Sequence, residues 1–198
     1  MEENKNLFVC GIDEAGRGPL AGPVSAACVI LPKDFDVALL DDSKALSPKK
    51  REILAAKIKD EALAWSVFHV DHKTIDEINI LQATLLAMKG AFESLHTSSG
   101  EKYMGKIDEV IVDGLYIPKI TIDENCVCRA LVKADAKISE VMAASILAKT
   151  ERDKLMCEYA KQYPLYEYEK HKGYPTKRHV ELCKKYGPSP IQRLTFKY

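Results

Sequence analysis

Apolar residues recur along this chain in two rhythms. The runs "LFVCGID" (residues 7–13) and "VSAACVILP" (24–32) are short, β-prone and bounded by glycine and proline, which predicts two early strands. "LAWSVFHVD" (63–71) sets Trp65, Val67 and His69 against Ser66, Phe68 and Val70, the alternation of a third strand. "IDEVIVDG" (107–114) and "CRALVKAD" (128–135) predict two more, with Asp113 and Asp135 at their C-terminal ends. The slower rhythm is helical. Ser47 followed by Pro48 is a start signal, because serine caps free amides and proline has no amide to lose, and a helix is predicted through "KKREILAAKIKDEA". Thr74 and Glu77 have capping-box spacing ahead of a stripe formed by Ile78, Leu81, Leu85, Met88, Phe92 and Leu95. "HTSSGEKYMGK" reads as a loop, "SEVMAASILAKTERDKLMCEYAKQ" from Ser139 as a long amphipathic helix, and residues 177–186 as a shorter helical piece.

Strands first, then strands separated by long helices, predict an α/β domain with a mixed central β-sheet flanked by helices. The expected organisation is a body over residues 1–162 and a small C-terminal helical extension over 163–198, packed on that body. At 198 residues, with a hydrophobic fraction of 46% and a charged fraction of 29%, the chain suits one ordinary globular unit and needs no disulfide staple. The six cysteines show neither a CxxC pair nor zinc-like spacing with histidine, so they are expected to be reduced and mostly structural. The polar start "MEENKN" lacks the pattern of a signal peptide, and no apolar run approaches the roughly 20 residues of a membrane helix, which points to the cytoplasm.

Charge adds a second asymmetry. The formal net charge is zero, yet from Lys170 onward eight Lys or Arg stand against one acid, Glu181. An acidic body with a basic tail is compatible with a polyanion bound near a carboxylate site, although a solvated basic surface would give the same count.

The acids have a pattern of their own. Asp13, Glu14, Asp113 and Asp135 all lie at or just past a predicted strand end, the rim where α/β folds place ligand sites. Singly, an acid at a strand end is more often a turn former or a helix cap. Together they would repel one another unless a cation sat among them, and hard oxygen donors favour Mg²⁺ or Mn²⁺ over zinc. Two such ions about 4 Å apart would suit phosphodiester hydrolysis. Next to the first pair comes Gly16-Arg17-Gly18, where glycines let backbone amides approach a phosphate or sugar and Arg17 can pair with phosphate in a bidentate way. The run matches neither a P-loop nor GxGxxG. In the tail, "HKGYPTKRH" offers Lys172 and Lys177 for phosphates and the flat ring of Tyr174 for a sugar or base.

Read together and in order, "GIDEAGRGPLAGPV", "LDDSKALS", "INILQATLLAM", "VDG", "KADAKISEVMAASILAKTERD" and "HKGYPTKRH" closely resemble bacterial ribonuclease HII, the type 2 ribonuclease H family, over nearly the whole chain. The resemblance implies a ribonuclease H-like fold. It also implies an endonuclease that cleaves the RNA strand of RNA/DNA hybrids and incises 5′ of a single ribonucleotide embedded in duplex DNA, leaving 3′-hydroxyl and 5′-phosphate ends. By the same resemblance Asp13, Glu14, Asp113 and Asp135 are the metal-binding acids, with Mn²⁺ or Mg²⁺ as the cofactor, two ions when substrate is bound. Gly16, Arg17 and Gly18 are implied to read the 2′-hydroxyl and hold the adjacent phosphate, and Tyr174 to stack on the deoxyribose that follows. Ser43 and Lys44 of the "DSK" motif, together with Ser145, Lys149 and Lys172, are further candidates for phosphate contact or for orienting the site. Ala134 stands before the fourth acid where many relatives are expected to have glycine. A monomer is implied, with no membrane association. Two rival readings remain open at this point: a DNA nuclease of the same superfamily, and a hybrid-binding module whose acids hold structural metal.

Overall fold

The computed structural model describes residues 7–41 and 47–197, so the candidates Ser43 and Lys44 lie outside the described residues. Five strands, β1 (Val9–Ala15), β2 (Val24–Ile30), β3 (Ala64–Val70), β4 (Glu109–Asp113) and β5 (Val127–Leu131), form one sheet in the order β3-β2-β1-β4-β5. Strands β1, β2 and β3 pair antiparallel in succession, whereas β4 and β5 are parallel to β1 and to each other. The sheet is therefore mixed, as the order of predicted elements required.

Both faces of the sheet are covered, and the alternation of side chains decides which helix goes where. Cys10, Ile12, Ala26, Cys28 and Ile30 pack beneath α3 (His72–Glu93) through its Ile75, Ala83, Ala87, Met88 and Ala91. Ala27 and Val29 face the other way, toward Leu54 and Ile58 of α2 (Pro48–Glu61) and Ala143, Ala144 and Leu147 of α4 (Ser139–Gln162). Strand β2, flanked by β1 and β3, is buried along its whole length, which is why its sequence shows no polar alternation. A Cβ on Gly11 would lie 2.2 Å from the backbone carbon of Glu140, so glycine there lets the first turn of α4 rest directly on β1. The short helices α1 (Ala38–Asp41) and α5 (Tyr168–His171) and the terminal α6 (Lys177–Tyr186) complete the helices.

Several boundaries differ from the sequence expectations for clear physical reasons. β1 runs on through the carboxylates to Ala15, because Glu14 and Ala15 still pair with Ala26 and Ser25 of β2. Helix α3 is capped by Asp71, whose carboxylate accepts from the Thr74 amide at 2.8 Å, so Thr74 is inside the first turn rather than its cap. Asn79, at φ 67° and ψ 165°, breaks that helix, and its side chain accepts from the Leu81 and Gln82 amides to restart it. The last strand stops at Leu131. Asp135 falls in a 3-10 turn, Ala134–Ala136, entered through Lys133 at φ 59°.

The C-terminal segment has a small core of its own, where Tyr166, Tyr168 and Ile191 meet Ala21, Met156 and Ala160. Backbone bonds tie it to the loop after β1: the Leu20 amide donates to Gly173 O at 2.8 Å, the Gly22 amide to Ile191 O at 2.9 Å, and the Arg193 amide to Leu20 O at 2.8 Å.

Candidate active site

Parallel pairing of Ile12 with Val112 puts the next residues, Asp13 and Asp113, side by side at the ends of β1 and β4. Asp13 is buried, and its carboxylate accepts the Glu14 amide at 2.7 Å, with the Ser145 hydroxyl of α4 close enough to favour its charged form. Burial first, then the Glu14 carboxylate and Asp113 beside it, push the Asp13 carboxyl well above the usual range. Glu14 is raised too, mainly by burial, against the opposing pull of Arg17, whose Nη1 lies 3.2 Å from Glu14 Oε1. The other oxygen, Glu14 Oε2, is buried without a hydrogen-bond partner among the described residues.

Asp113 anchors the fourth acid through backbone. Its Oδ1 accepts from the Ala134 amide at 2.7 Å and more weakly from the Asp135 amide at 3.4 Å, so the 3-10 turn is held against the end of β4. Ala134 is buried in this contact and fits without glycine. Asp13, Glu14 and Asp113 thus interact directly, with Asp135 next to them. Even so, no group of three or more His, Cys, Asp or Glu among the described residues is already arranged to hold a metal ion. The donor set nevertheless fits a hard divalent cation: all its donors are oxygens, one is buried without a partner among the described residues, and the repulsion that adds to burial in raising Asp13 is of the kind a cation relieves.

Beside the acids lies an open groove of about 350 Å³ bordered by Glu14, Gly16, Arg17, Gly18, Ser145, Lys149 and Tyr174. A Cβ on Gly18 would stand 3.9 Å from the Tyr174 ring, and Lys149 Nζ lies 5.2 Å from the ring centre while bonding Asp153 at 2.7 Å. Lys172 belongs elsewhere: it lines a neighbouring hollow of about 510 Å³ with Arg51, Asp153, Lys154 and Lys170, and its ammonium donates to Glu169 O.

The groove's shape depends on residues the sequence reading left without a role. Arg152 is fully buried and donates from Nε to Pro23 O at 2.8 Å, from Nη1 to Lys172 O at 3.0 Å and from Nη2 to Ala21 O at 3.2 Å. Gly16, at φ +94°, sits on this side chain so closely that a Cβ would be 2.0 Å from Arg152 Nε. Arg193, equally buried, donates to Gly22 O at 2.9 Å, Arg17 O at 3.0 Å and Gly16 O at 2.7 Å. Burial pushes the two guanidiniums down to about 10 and about 9, so both stay charged at neutral pH. His171 fixes the Tyr174 turn: its Nδ1 accepts the Gly173 amide at 3.2 Å, so Nε2 carries the proton and donates to Tyr166 O at 2.9 Å. Arg152 left a trace in the sequence, since it falls on the i+4 row Ala144, Ala148, Met156 and Ala160, all buried. Arg193 left none.

Mixed sheet, covering helices and carboxylates at adjoining strand ends define an α/β protein of the ribonuclease H-like class. The family model described as Ribonuclease HII matches residues 10–198. The chain is 52% identical over 198 residues to the ribonuclease HII of Treponema denticola, covering 96% of this chain and 98% of that one. The crystal structure of ribonuclease H2 from Pyrococcus horikoshii OT3 superposes with a TM-score of 0.76 at 31% identity, covering 96% and 94% of the two chains. Bst-RNase HIII, solved in complex with Mn²⁺, shares the fold at a TM-score of 0.70 and 18% identity, covering 96% of this chain and 67% of its own. This chain belongs to the ribonuclease HII family.

Proposed function

We propose that this protein is a divalent-metal-dependent endoribonuclease that hydrolyses the RNA strand of RNA/DNA hybrids and incises 5′ of single ribonucleotides in duplex DNA, leaving 3′-hydroxyl and 5′-phosphate ends. The observation that carries the reading is one juxtaposition: Glu14, whose Oε2 is buried with no hydrogen-bond partner among the described residues, shares a groove with Gly16-Arg17-Gly18 and Tyr174, and the buried Asp13 stands next to it on β1. Family membership supports the reaction class.

Asp13, Glu14, Asp113 and Asp135 would hold Mn²⁺ or Mg²⁺, two ions with substrate bound, through hard oxygens. When bound, such ions supply an activated water and charge stabilisation on the leaving oxygen. The protein's own groups do the rest. Ser145, beside the Asp13 carboxylate, favours its charged form and orients it. Arg17, half-committed to Glu14 and otherwise exposed, reaches a backbone phosphate. Backbone groups of Gly16 to Gly18 meet the sugar edge, where the 2′-hydroxyl is the group that separates RNA from DNA. Tyr174 presents its face to the next sugar, and Lys149 supplies positive charge over that ring. Lys172 and its neighbours in the adjacent hollow would meet phosphates further along the duplex. We assign Ser43 and Lys44 to phosphate contact or to orienting the site, from the resemblance of their motif alone.

The catalytic body is assigned to residues 1–162 and the basic extension to 163–198, working as a cytoplasmic monomer. No helix among the described residues is long and apolar enough to cross a membrane.

The deciding experiment incubates a duplex carrying one ribonucleotide with the protein and Mg²⁺ or Mn²⁺. Incision 5′ of the ribonucleotide, absent on all-DNA duplex, is the expected result. No incision with either metal rejects the reading, and equal cleavage of all-DNA duplex replaces it with a DNA nuclease.

A further inference from the structure

The carbonyl oxygens of Gly16 and Arg17 both accept hydrogen bonds from the fully buried guanidinium of Arg193. No peptide bond among the described residues is cis, and in a trans peptide the N–H leaves on the side opposite its carbonyl. The amides that follow these two carbonyls, those of Arg17 and Gly18, are therefore turned away from Arg193. Neither donates a hydrogen bond among the described residues. Both residues border the groove that holds Glu14 and Tyr174. Two successive amides aimed the same way form a concavity suited to an anionic oxygen.

Nothing in Gly16-Arg17-Gly18 itself enforces this orientation, since glycine peptides flip readily. Arg193 enforces it, and Arg193 is in turn seated by the residues after it. The Asp76 carboxylate, at the start of α3, accepts from the Leu194 amide at 2.7 Å, the Thr195 amide at 3.0 Å and the Thr195 hydroxyl. These bonds hold the Asp76 carboxyl below the usual range although burial opposes it.

We propose that Asp76 and Arg193 are positioning residues for substrate recognition: Asp76 fixes the 194–195 backbone, that backbone seats the Arg193 guanidinium, and Arg193 turns the Arg17 and Gly18 amides toward a phosphate or 2′-hydroxyl oxygen. The proposal rests on the reading of the Gly16–Gly18 groove as the sugar and phosphate contact. It assigns part of the discrimination to a carboxylate on another element, which touches neither the acids nor the groove.

Asp76→Asn and Arg193→Lys test it, the first by weakening the acceptor and the second by keeping charge while losing the fork. On a duplex with one ribonucleotide, each variant is expected to raise KM about 10-fold with kcat changed less than about 3-fold, the pattern of lost binding rather than lost chemistry. Binding preference for that duplex over all-DNA duplex, measured with Ca²⁺, should fall toward one, while the rise in Tm on adding Mn²⁺ stays at the wild-type value. Wild-type KM and wild-type preference in both variants would overturn the proposal. So would a fall in kcat and in the Mn²⁺ response accompanying the rise in KM, which is general damage. A measurement independent of turnover separates this failure from failure of the proposed function. In the wild type, titration with inorganic phosphate should move the Arg17 and Gly18 amide signals in ¹H–¹⁵N spectra, and the movement should be lost in Asp76→Asn. Equal movement in both proteins, or none in the wild type, rejects the clamp whether or not the protein incises RNA.

Discussion

Arg193 Nη2 donates to the carbonyl oxygen of Gly16 at 2.7 Å, joining residues 177 apart in sequence. Its neighbour Arg152 grips the same loop from α4, so the segment from Gly16 to Pro23 is held by two buried cations that bond only carbonyl oxygens in it. A buried charge of this kind is tolerated because every bond it makes is charge-assisted.

Gly16 is the tightest point of that arrangement. Gly16→Ala would place a methyl 2.0 Å from Arg152 Nε at a φ of +94°, and the expected loss is about 2 kcal/mol or more of unfolding free energy. Urea denaturation measures it. A variant as stable as the wild type would show that Arg152 moves aside freely.

Asp13→Asn separates chemistry from stability. Burial and neighbouring carboxylates raise Asp13 well above its ordinary value of 3.8, so its charged form is disfavoured in the metal-free fold. That handicap vanishes below the ordinary value and grows as pH rises through the raised one. The amide variant should therefore be more stable than metal-free wild type at pH 7, by about 1–2 kcal/mol, yet incise nothing. Mn²⁺ should raise the Tm of the wild type much more than that of the variant, because only binding to the native state stabilises it. Near-normal incision by the variant would remove Asp13 from the ligand set.

Acid should loosen the Tyr174 turn. His171 is buried, both ring nitrogens are used in the neutral form, and burial with the adjacent His179 brings its pKa down to about 4 from an ordinary 6.5. His179, stacked on it at 4.3 Å, is lowered as well by burial. The depressed value means that this contribution to stability is complete above pH 6.5 and is lost as pH falls toward 4. For His171 alone the loss is about 2–3 kcal/mol. Denaturation midpoints across pH 4 to 7 should show a steeper fall in the wild type than in His171→Gln.

Tyr174→Ala should weaken binding at the ribonucleotide by about 1–3 kcal/mol, the range of stacking on an aromatic face. Tyr174→Phe should retain most of it, since no hydrogen bond of the Tyr174 hydroxyl is needed for stacking. Competition binding with the single-ribonucleotide duplex compares them. An inert alanine variant would detach Tyr174 from recognition.

Local sequence determined much of this protein. Short apolar runs, the Ser47-Pro48 start and the stripe from Ser139 specify strands and helices through interactions within a few residues, and α4 and α6 begin and end where the pattern predicts. The acids and Gly16-Arg17-Gly18 were legible because a strand end with clustered carboxylates is itself a local pattern. Asp135 was less so: its run looks like an uninterrupted strand, and only the amide bonds from the turn to Asp113 bend it away. Tertiary structure alone decided the rest. Arg193 reads as one more charge in a basic tail and Asp76 as one more acid near a helix start, because their partners lie 177 and 118 residues away. Whether a guanidinium is solvated or buried depends on which carbonyls the fold brings to it, and that pairing has no periodicity along the chain. The groups that build the candidate chemistry were thus visible in sequence, while the groups that aim the loop beside it existed only once the chain's two ends met.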